Sequence, residues 1–398
     1  MEETYVVLRD VSGLSVAGPF ESTIAAETDA PSEPRVDVEV LDKAAVRDLA
    51  RDPQVGAIAP VMPTRLVEPV ATGTGDDSSG GTAAAGQPTW GVRAVGADRS
   101  TRTGAGVTVA VLDTGIDAAH AAFAGVHLVE EDFTGSGNGD KQGHGTHCAG
   151  TVLGRDVNGT RIGVAPGVTE ARIGKVLGDD GRGQSDWMFA GLQWAAQQGA
   201  QVMSISIELD FTALVKRLVD GGLPVELATS RALEGYRANL RMFDALMAML
   251  RSFEAFGAGT IVVGAAGNGS RRGTNPQHEI GVALPAAADG VVSVAALGES
   301  PAGFVVAPFS NTFAQISGPG MGVVSAAIGG GLASLNGTSM ACPHVAGVTA
   351  LWVEDVAASP LPFRTATVLA RLLASARTAG LAPGVDLVDC GVGMATAP

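Results

Sequence analysis

The chain has 398 residues, of which 46% are hydrophobic and 17% charged, and this balance indicates a globular protein rather than a disordered one. Its net charge of −15 argues against nucleic acid or an anionic membrane surface as a partner, because both are negatively charged. No apolar run reaches the ~18 residues of a membrane span, and Met1-Glu2-Glu3-Thr4 lacks the features of a signal peptide. The sequence as it stands therefore predicts a cytoplasmic protein, or a secreted one if it has been trimmed, and its three cysteines predict no disulfide framework.

The first 70 residues predict a small α+β unit, and a linker follows it. Strands are expected at 5–8 and 36–40, the second with clean alternation of apolar and polar residues. A short helix is expected over 42–49, and Asp52-Pro53 ends it before another strand at 55–58. Residues 71–88 are small, polar and rich in glycine, which predicts a flexible linker and a domain boundary.

From residue 89 to residue 398 the pattern changes to alternating strands and helices. The near-continuous apolar run at 107–112 is typical of a strand in a parallel sheet that is covered on both faces. Further helices are predicted near 145–153, 186–198 and 227–257, and further strands near 201–206, 260–265 and 291–296. Repeated alternation of this kind predicts an α/β fold with a central parallel sheet and helices on both faces.

Four polar residues stand at the ends of predicted elements, and each has an ordinary structural explanation. Asp113 follows an apolar strand and would suit a turn or cap, and Ser339 precedes an apolar helix, where serine is by default an N-cap. Asn268 lies between glycines after another strand, which is typical of a turn. The spacing of His144 and His147 would suit metal ligands, but no glutamate completes a zinc-protease pattern beside them.

Together the same four residues supply what cleavage of an amide bond requires, namely a nucleophile, a base, an orienting carboxylate and an oxyanion donor. The segments at 111–117 (VLDTGID), 144–151 (HGTHCAGT) and 337–347 (GTSMACPHVAG) resemble the three signature segments of the subtilisin family. They also occur in the subtilisin order of aspartate, histidine and serine. The resemblance covers roughly residues 89–398.

The resemblance implies a serine endopeptidase that hydrolyses peptide bonds through an acyl-enzyme. Ser339 would be the nucleophile, His144 the general base and acid, and Asp113 the group that orients His144. Asn268 would form the oxyanion hole together with the backbone N–H of Ser339. All four positions are intact, which argues against an inactive relative.

The resemblance also implies the position of the substrate groove. An edge strand would pair with the substrate backbone, and the pocket for the residue before the scissile bond would lie beside it. The small Ala283 at the base of this pocket predicts a large apolar residue there, such as Leu, Phe or Met. The implied substrate-binding residues are Gly181, Arg182 and Gly183 on the edge strand, Ser206, Ile207, Ala265, Ala266 and Gly267 on the pocket walls, and Ala283 at the base.

Residues 41–55 resemble the helix-to-strand part of the subtilisin propeptide. The similarity implies that residues 1–70 are a prodomain that assists folding and blocks the groove until it is cut. We expect residues 62–67 to lie in the groove in a substrate-like manner, and the enzyme itself to cut a bond between about residues 66 and 87. The alternative is an unrelated α+β appendage.

Two departures from the family pattern affect the groove. Ile207-Glu208-Leu209 stands where the family usually has Leu-Gly-Gly, so side chains replace glycines at a pocket wall, and Glu208 would suit a Lys or Arg side chain instead. A helical insertion is expected at about 207–257. It is either a longer helix packed on the core or a rim that restricts substrates.

The sequence predicts that no cofactor is required. It predicts no calcium ion at the family's usual strong site, although a structural calcium ion at another site is compatible with the sequence. Ala122 stands where the family has an aspartate ligand for calcium, and the loop at 155–161 offers Val157 and two arginines, Arg155 and Arg161, where oxygen ligands are needed. We expect Cys148 to be a buried packing thiol, with a reactive role as the alternative.

The expected partners are a polypeptide substrate and the chain's own prodomain, which would act as an intramolecular inhibitor of a monomeric enzyme. Nucleic acid and membranes are not expected partners. One alternative function is that of a narrow-specificity processing protease, such as a peptide maturase. A second is that of a non-catalytic binding or regulatory relative with the same fold.

Overall fold

The computed structural model describes residues 2–9, 34–70, 86–256, 259–360 and 363–398. The predicted linker at 71–88 lies outside the described residues as far as residue 85. Among the described helices, none combines the length and apolar character needed to cross a bilayer.

In chain order, the described strands are β1 (Glu3–Arg9), β2 (Arg35–Leu41), β3 (Val55–Pro60), β4 (Pro63–Leu66), β5 (Thr108–Asp113), β6 (His127–Asp132), β7 (Glu170–Lys175), β8 (Arg182–Gln184), β9 (Val202–Ile205), β10 (Ile207–Leu209), β11 (Ile261–Ala265), β12 (Val291–Ser300), β13 (Gly303–Val306), β14 (Ile316–Pro319), β15 (Val323–Ala326) and β16 (Leu332–Leu335). The described helices are α1 (Lys43–Leu49), α2 (Trp90–Ala94), α3 (His144–Leu153), α4 (Ser185–Gln197), α5 (Phe211–Asp220), α6 (Val225–Ser252), α7 (Thr338–Ala357), α8 (Thr365–Ser375) and α9 (Leu387–Cys390). Short 3-10 turns cover Ala121–Phe123 and Phe253–Phe256.

The central sheet has the strand order β13-β12-β11-β9-β5-β7-β6, with β14 beside β12. These pairs are parallel except for the antiparallel β12–β13 pair. Val109 and Val111 of β5 join the core with α3 and α7, whereas Ala110 and Leu112 join the core with α4 and α6. Alternate side chains of a strand point to opposite faces, so a strand covered on both faces must be apolar throughout. The predicted α/β fold, a parallel sheet between two layers of helices, is confirmed.

The N-terminal unit is an antiparallel sheet in the order β2-β1-β3 with the short helix α1. Asp42 caps this helix, because its side chain accepts the N–H groups of the second and third residues that follow it. The unit lies on helices α4 and α6. The Val36 N–H donates to Gln193 of α4 at 2.7 Å, and the Asn239 amide of α6 donates to the Pro60 carbonyl at 2.9 Å.

A separate small sheet has the order β10-β4-β8, and both of its pairings are antiparallel. Strand β4 follows the N-terminal unit, whereas β8 and β10 belong to the part of the chain that forms the central sheet. The chain therefore inserts a strand from its N-terminal region between two strands of the larger unit.

The insertion at 207–257 contains two helices rather than the one predicted at 227–257. Helix α5 begins after Asp210, whose carboxylate accepts the N–H of Ala213, and α6 ends at Ser252 rather than near 257. The segment after α6 winds into a 3-10 turn, in which Glu254 accepts hydrogen bonds from the backbone N–H and the hydroxyl of Thr365 at 2.7 and 2.8 Å. This anchor to the start of α8 draws the chain away from the α-helical path.

Candidate active site

Asp113 and His144 form a buried hydrogen-bonded pair. Asp113 is the last residue of β5, and His144 is the first residue of α3. Nδ1 of His144 lies 2.8 Å from Oδ1 and 3.0 Å from Oδ2 of Asp113, and both side chains are 1% exposed. Gly145 permits this close approach, since a Cβ at that position would lie 2.2 Å from the Gly115 carbonyl oxygen. The hydrogen bond assigns the ring proton to Nδ1, which leaves Nε2 as the basic nitrogen.

Asp140, which is not among the predicted site residues, fixes the backbone on both sides of this pair. Its carboxylate accepts hydrogen bonds from the hydroxyl groups of Thr114 and Thr146 and from the N–H groups of Gln142, Gly143 and Thr146. Thr114 follows the aspartate of the pair, and Thr146 lies two residues after the histidine. The signal in the sequence is an aspartate followed by a glycine-containing turn just before a helix.

Ser339 is the second residue of α7, and Gly337 is the N-cap, so the ordinary explanation of Ser339 as an N-cap is wrong. Its side chain is buried, and its hydroxyl group donates to the carbonyl oxygen of Val67 at 2.8 Å. In this structure the serine hydroxyl therefore contacts the N-terminal segment.

The carboxamide of Asn268 points into the same region. Its Nδ2 donates to the Glu68 carbonyl oxygen at 2.8 Å, and its Oδ1 accepts the N–H and the hydroxyl group of Thr338, each at 2.9 Å. Thr338 also accepts the N–H of Gly267 at 3.1 Å. Thr338 thus orients the amide toward the segment. This residue lies in the third signature segment but is not among the predicted site residues.

Strand β4 and the residues after it lie along the groove. Thr64 is opposite Gly183 on β8 and Leu209 on β10. The Leu66 N–H donates to the Gly181 carbonyl at 2.8 Å, and the Val67 N–H donates to the Ser206 carbonyl at 3.2 Å. Three residues after Val67, the Val70 N–H donates to the Asn336 carbonyl oxygen at 2.8 Å, and the side-chain amide of Asn336 donates to the Val70 carbonyl oxygen at 3.0 Å. The implied edge residues Gly181, Arg182 and Gly183 lie beside this segment.

The implied pocket residues also lie together. The Ala283 N–H donates to the Ala266 carbonyl at 2.9 Å, and Ala265 is the last residue of β11 just before them. Ile207 is buried opposite Leu66. The carboxylate of Glu208 lies against Gly267, where a Cβ would be 3.4 Å from its Oε2 atom. A charged group thus stands beside the glycine wall of the predicted pocket.

The ring of His147 is directed away from His144. Its Nε2 lies 3.1 Å from the Val323 carbonyl oxygen and 3.2 Å from that of Ala333. Burial lowers the pKa of His147 to about 3, so its ring is neutral at ordinary pH. His147 therefore has a structural partner of its own on the strands β15 and β16.

Cys148 lies directly beneath the histidine of the buried pair. Its Sγ is 3.6 Å from Nδ1 of His144 and 3.4 Å from the Ser339 carbonyl oxygen. Asp113, His144 and Cys148 bring one potential metal ligand each within 4.8 Å of one another. Burial raises the pKa of Cys148 well above its usual value, so the thiol keeps its proton. A protonated thiol beside an occupied His–Asp hydrogen bond fits a packing role better than metal ligation.

Two arginines donate hydrogen bonds to backbone carbonyl oxygens around the loop at 155–161. Arg155 donates to the carbonyls of Leu153 and Val168, each at 2.9 Å. Arg161 donates to carbonyl oxygens of three other residues at 3.1–3.2 Å, namely Ala97, Gly163 and Val164. Ala122 is buried and offers no side-chain oxygen. Positive guanidinium groups thus bind oxygens in the region where the family would hold a cation.

A buried His–Asp pair, a serine in the first turn of a helix and an oriented carboxamide are the kinds of group with which serine hydrolases cleave amide bonds. Together with the parallel α/β sheet, they fit the class of serine hydrolases. The sequence profile described as "Subtilase family" matches residues 104–393. The chain belongs to the subtilase family, and it is a serine endopeptidase.

Several known proteins are similar to this chain. Subtilisin DY of Bacillus licheniformis is 35% identical over 253 residues, which cover 62% of this chain and 77% of that protein. The subtilisin-like serine protease Pen ch 13 of Penicillium rubens is 30% identical over 326 residues, covering 78% and 67% respectively. The intracellular serine protease of Paenibacillus polymyxa is 32% identical over 256 residues, covering 62% and 67% respectively.

Proposed function

We propose that the chain is a self-processing zymogen in which Ser339, His144 and Asp113 act as the catalytic triad. Nε2 of His144 takes the proton from the Ser339 hydroxyl as Oγ attacks the carbonyl carbon of the scissile bond. The proton then passes to the leaving amine nitrogen, and an acyl-enzyme remains. Water attacks the acyl-enzyme, with His144 again acting as the base. Asp113 keeps the imidazole oriented and stabilises its protonated form.

The observation that carries this proposal is the 2.8 Å hydrogen bond between the Ser339 hydroxyl and the Val67 carbonyl oxygen. It marks the Val67–Glu68 bond as the first candidate for cleavage, within the expected window of about 66–87. Attack would require the serine hydroxyl to turn toward His144 and the Asn268 amide to move from the Glu68 oxygen to the Val67 oxygen. The present contacts thus support a bound but resting substrate.

We propose that residues 1–70 are the inhibitory prodomain, with the linker at 71–88 next to the processing site. Support comes from the antiparallel pairing of β4 on both sides and from the contacts of β1 and β3 with α6. Glu3 and Arg231 also form an ion pair across this interface. Cleavage after Val67 would leave these contacts intact, so we expect the cut segment to stay bound until it is degraded.

The proposed chemistry uses protein groups alone and assigns no step to a metal or cofactor. The guanidinium groups of Arg155 and Arg161 support the proposal that the loop at 155–161 holds no calcium ion. The partners in this proposal are a polypeptide substrate and the chain's own prodomain, and the enzyme acts as a monomer. Cys148 would serve as packing beneath His144.

A narrow-specificity processing protease is a second candidate, and one observation favours it. The carboxylate of Glu208 beside Gly267 adds a charged group to a pocket wall that the family usually builds from glycine. Such a group selects among substrates instead of admitting any apolar side chain. A non-catalytic relative has no comparable observation in its favour.

The triad is tested by Ser339→Ala, His144→Ala and the double variant. Each single change should lower kcat by several orders of magnitude, and the double variant should lose little more, because the two residues act as one unit. A serine-directed fluorophosphonate probe should label the wild type at Ser339. Near-wild-type peptidase activity in Ser339→Ala, or activated protein that does not label, would refute the proposal.

A further inference from the structure

Arg65 of β4 binds a pair of carboxylates at the edge of the groove. Its guanidinium lies 2.7 Å from Oε1 of Glu208 and 3.8 Å from Oδ2 of Asp210. The acidic side chains are only 13% and 16% exposed, whereas that of Arg65 is 46% exposed. The other carboxylate oxygen of Asp210 caps helix α5, which holds this side chain in place.

The position of Arg65 is set by its backbone and not by its side chain alone. Arg65 is directly opposite Glu208 on β10 and Arg182 on β8, in antiparallel register on both sides. A substrate bound in the same register would place the third residue on the amino side of its scissile bond opposite Glu208. Residues directly opposite each other in such a pair have their side chains within reach of each other.

Glu208 would lose its cation when the N-terminal segment leaves. Within the described part of the chain, the ion pairs of Glu208 and Asp210 both use Arg65. Burial raises the pKa of Glu208, and Asp210 and Glu68 raise it further, while Arg65 opposes them. Burial raises the pKa of Tyr236 on α6, and the negative charge of Glu208 raises it further. Departure of the segment would leave two neighbouring carboxylates at the edge of the groove without Arg65, and an incoming cation would be attracted by both of them.

We infer that Glu208 and Asp210 form a subsite that selects arginine at the third residue on the amino side of the scissile bond. The inference rests on the proposed function and narrows its substrates to polypeptides with a basic residue at that position. Arg182 faces the same position from β8 and opposes a cation there. Its side chain is exposed, so solvent and salt screen this repulsion more than they weaken the contact with Glu208.

The test uses two fluorogenic peptide amides and the full-length protein after it has reached maximal activity. One peptide copies residues 63–67, acetyl-Pro-Thr-Arg-Leu-Val, and the other has glutamine in place of arginine. We expect kcat/KM to be at least about tenfold higher for the arginine peptide. Glu208→Gln should reduce this ratio toward one, and Glu208→Lys should favour a third peptide with glutamate at the same position.

Glu234→Gln is the matched control, because Glu234 is an exposed residue of α6, and it should keep the wild-type ratio. A wild-type ratio near one, or a ratio unchanged in Glu208→Gln, would overturn the inference while leaving the protease proposal intact. If the wild type cleaves none of the peptides and also fails to label with the fluorophosphonate probe, the proposed function itself fails, and this inference with it.

Discussion

Replacing Asn268 by alanine should separate the binding of the N-terminal segment from its cleavage. In the resting structure the amide makes one neutral hydrogen bond to the Glu68 oxygen at 2.8 Å, and the net value of such a bond is about 1 kcal/mol. In the transition state the same amide would face an oxyanion. Loss of the corresponding donor in a subtilisin costs about 2.7–4 kcal/mol, and we take that magnitude over to this chain. Cleavage should therefore slow by about 10²–10³, although the segment stays in the groove.

The assay is the first-order rate at which the full-length chain converts into two fragments, measured at several protein concentrations to isolate the intramolecular step. Thr338→Val should also slow conversion, because it removes the hydroxyl that orients the Asn268 amide, whereas Thr338→Ser should retain most of the rate. Asn138→Ala is the control, since this asparagine is exposed. A conversion rate of the Asn268→Ala variant within about threefold of the wild-type rate would refute the reasoning, because loss of an oxyanion donor should slow cleavage far more.

Three further predictions concern pH, packing and metal ions. The preference for the arginine peptide should decline as the pH falls, since protonated Glu208 no longer attracts a cation. Because burial raises the pKa of Glu208, the kcat/KM ratio of the two peptides should begin to fall at a pH above about 4.3, the pKa of a free glutamate. A ratio that stays constant down to about pH 4 would contradict this. Gly91→Ala should lower the Tm by several degrees, because the added Cβ would lie 2.1 Å from Nε2 of buried His344. Gly273→Ala is the control and should keep the Tm, because its Cβ would lie 3.7 Å from the Cβ of Pro308. Equal Tm values for the two variants would contradict the packing argument. Addition of EGTA should leave the Tm unchanged if neither the loop at 155–161 nor another site holds a structural calcium ion, and a drop reversed by calcium would show that one of them does.

The sequence pattern predicted the sheet, and the resemblance to the subtilisin family predicted the buried pair. The apolar run before Asp113 predicted a strand covered on both faces, and β5 is such a strand. His144 and Ser339 stand where glycine-containing turns meet helices, and these local signals can be read without tertiary information. The pairing of Asp113 with His144 was expected only from the resemblance to the subtilisin family, because no local signal joins the end of β5 to the start of α3.

The ion pair of Glu208 with Arg65 could not be predicted in the same way. The two residues are 143 positions apart, and the register of β4 against β10 brings them together. The sequence showed that a carboxylate replaces glycine at a pocket wall, but not which cation it meets. Helix α5 was missed although local signals for it are present, since Asp210 caps its start and Gly221 follows its last residue.

The most direct test of self-processing is mass spectrometry of the purified wild-type protein beside its Ser339→Ala variant after the same incubation. The wild type should yield a catalytic fragment whose first residue is Glu68 or lies within the following linker, together with the complementary N-terminal fragment. Ser339→Ala should retain the mass of the intact chain. A wild-type protein that stays intact while hydrolysing peptides, or a Ser339→Ala protein cut at the same bond, would contradict the account.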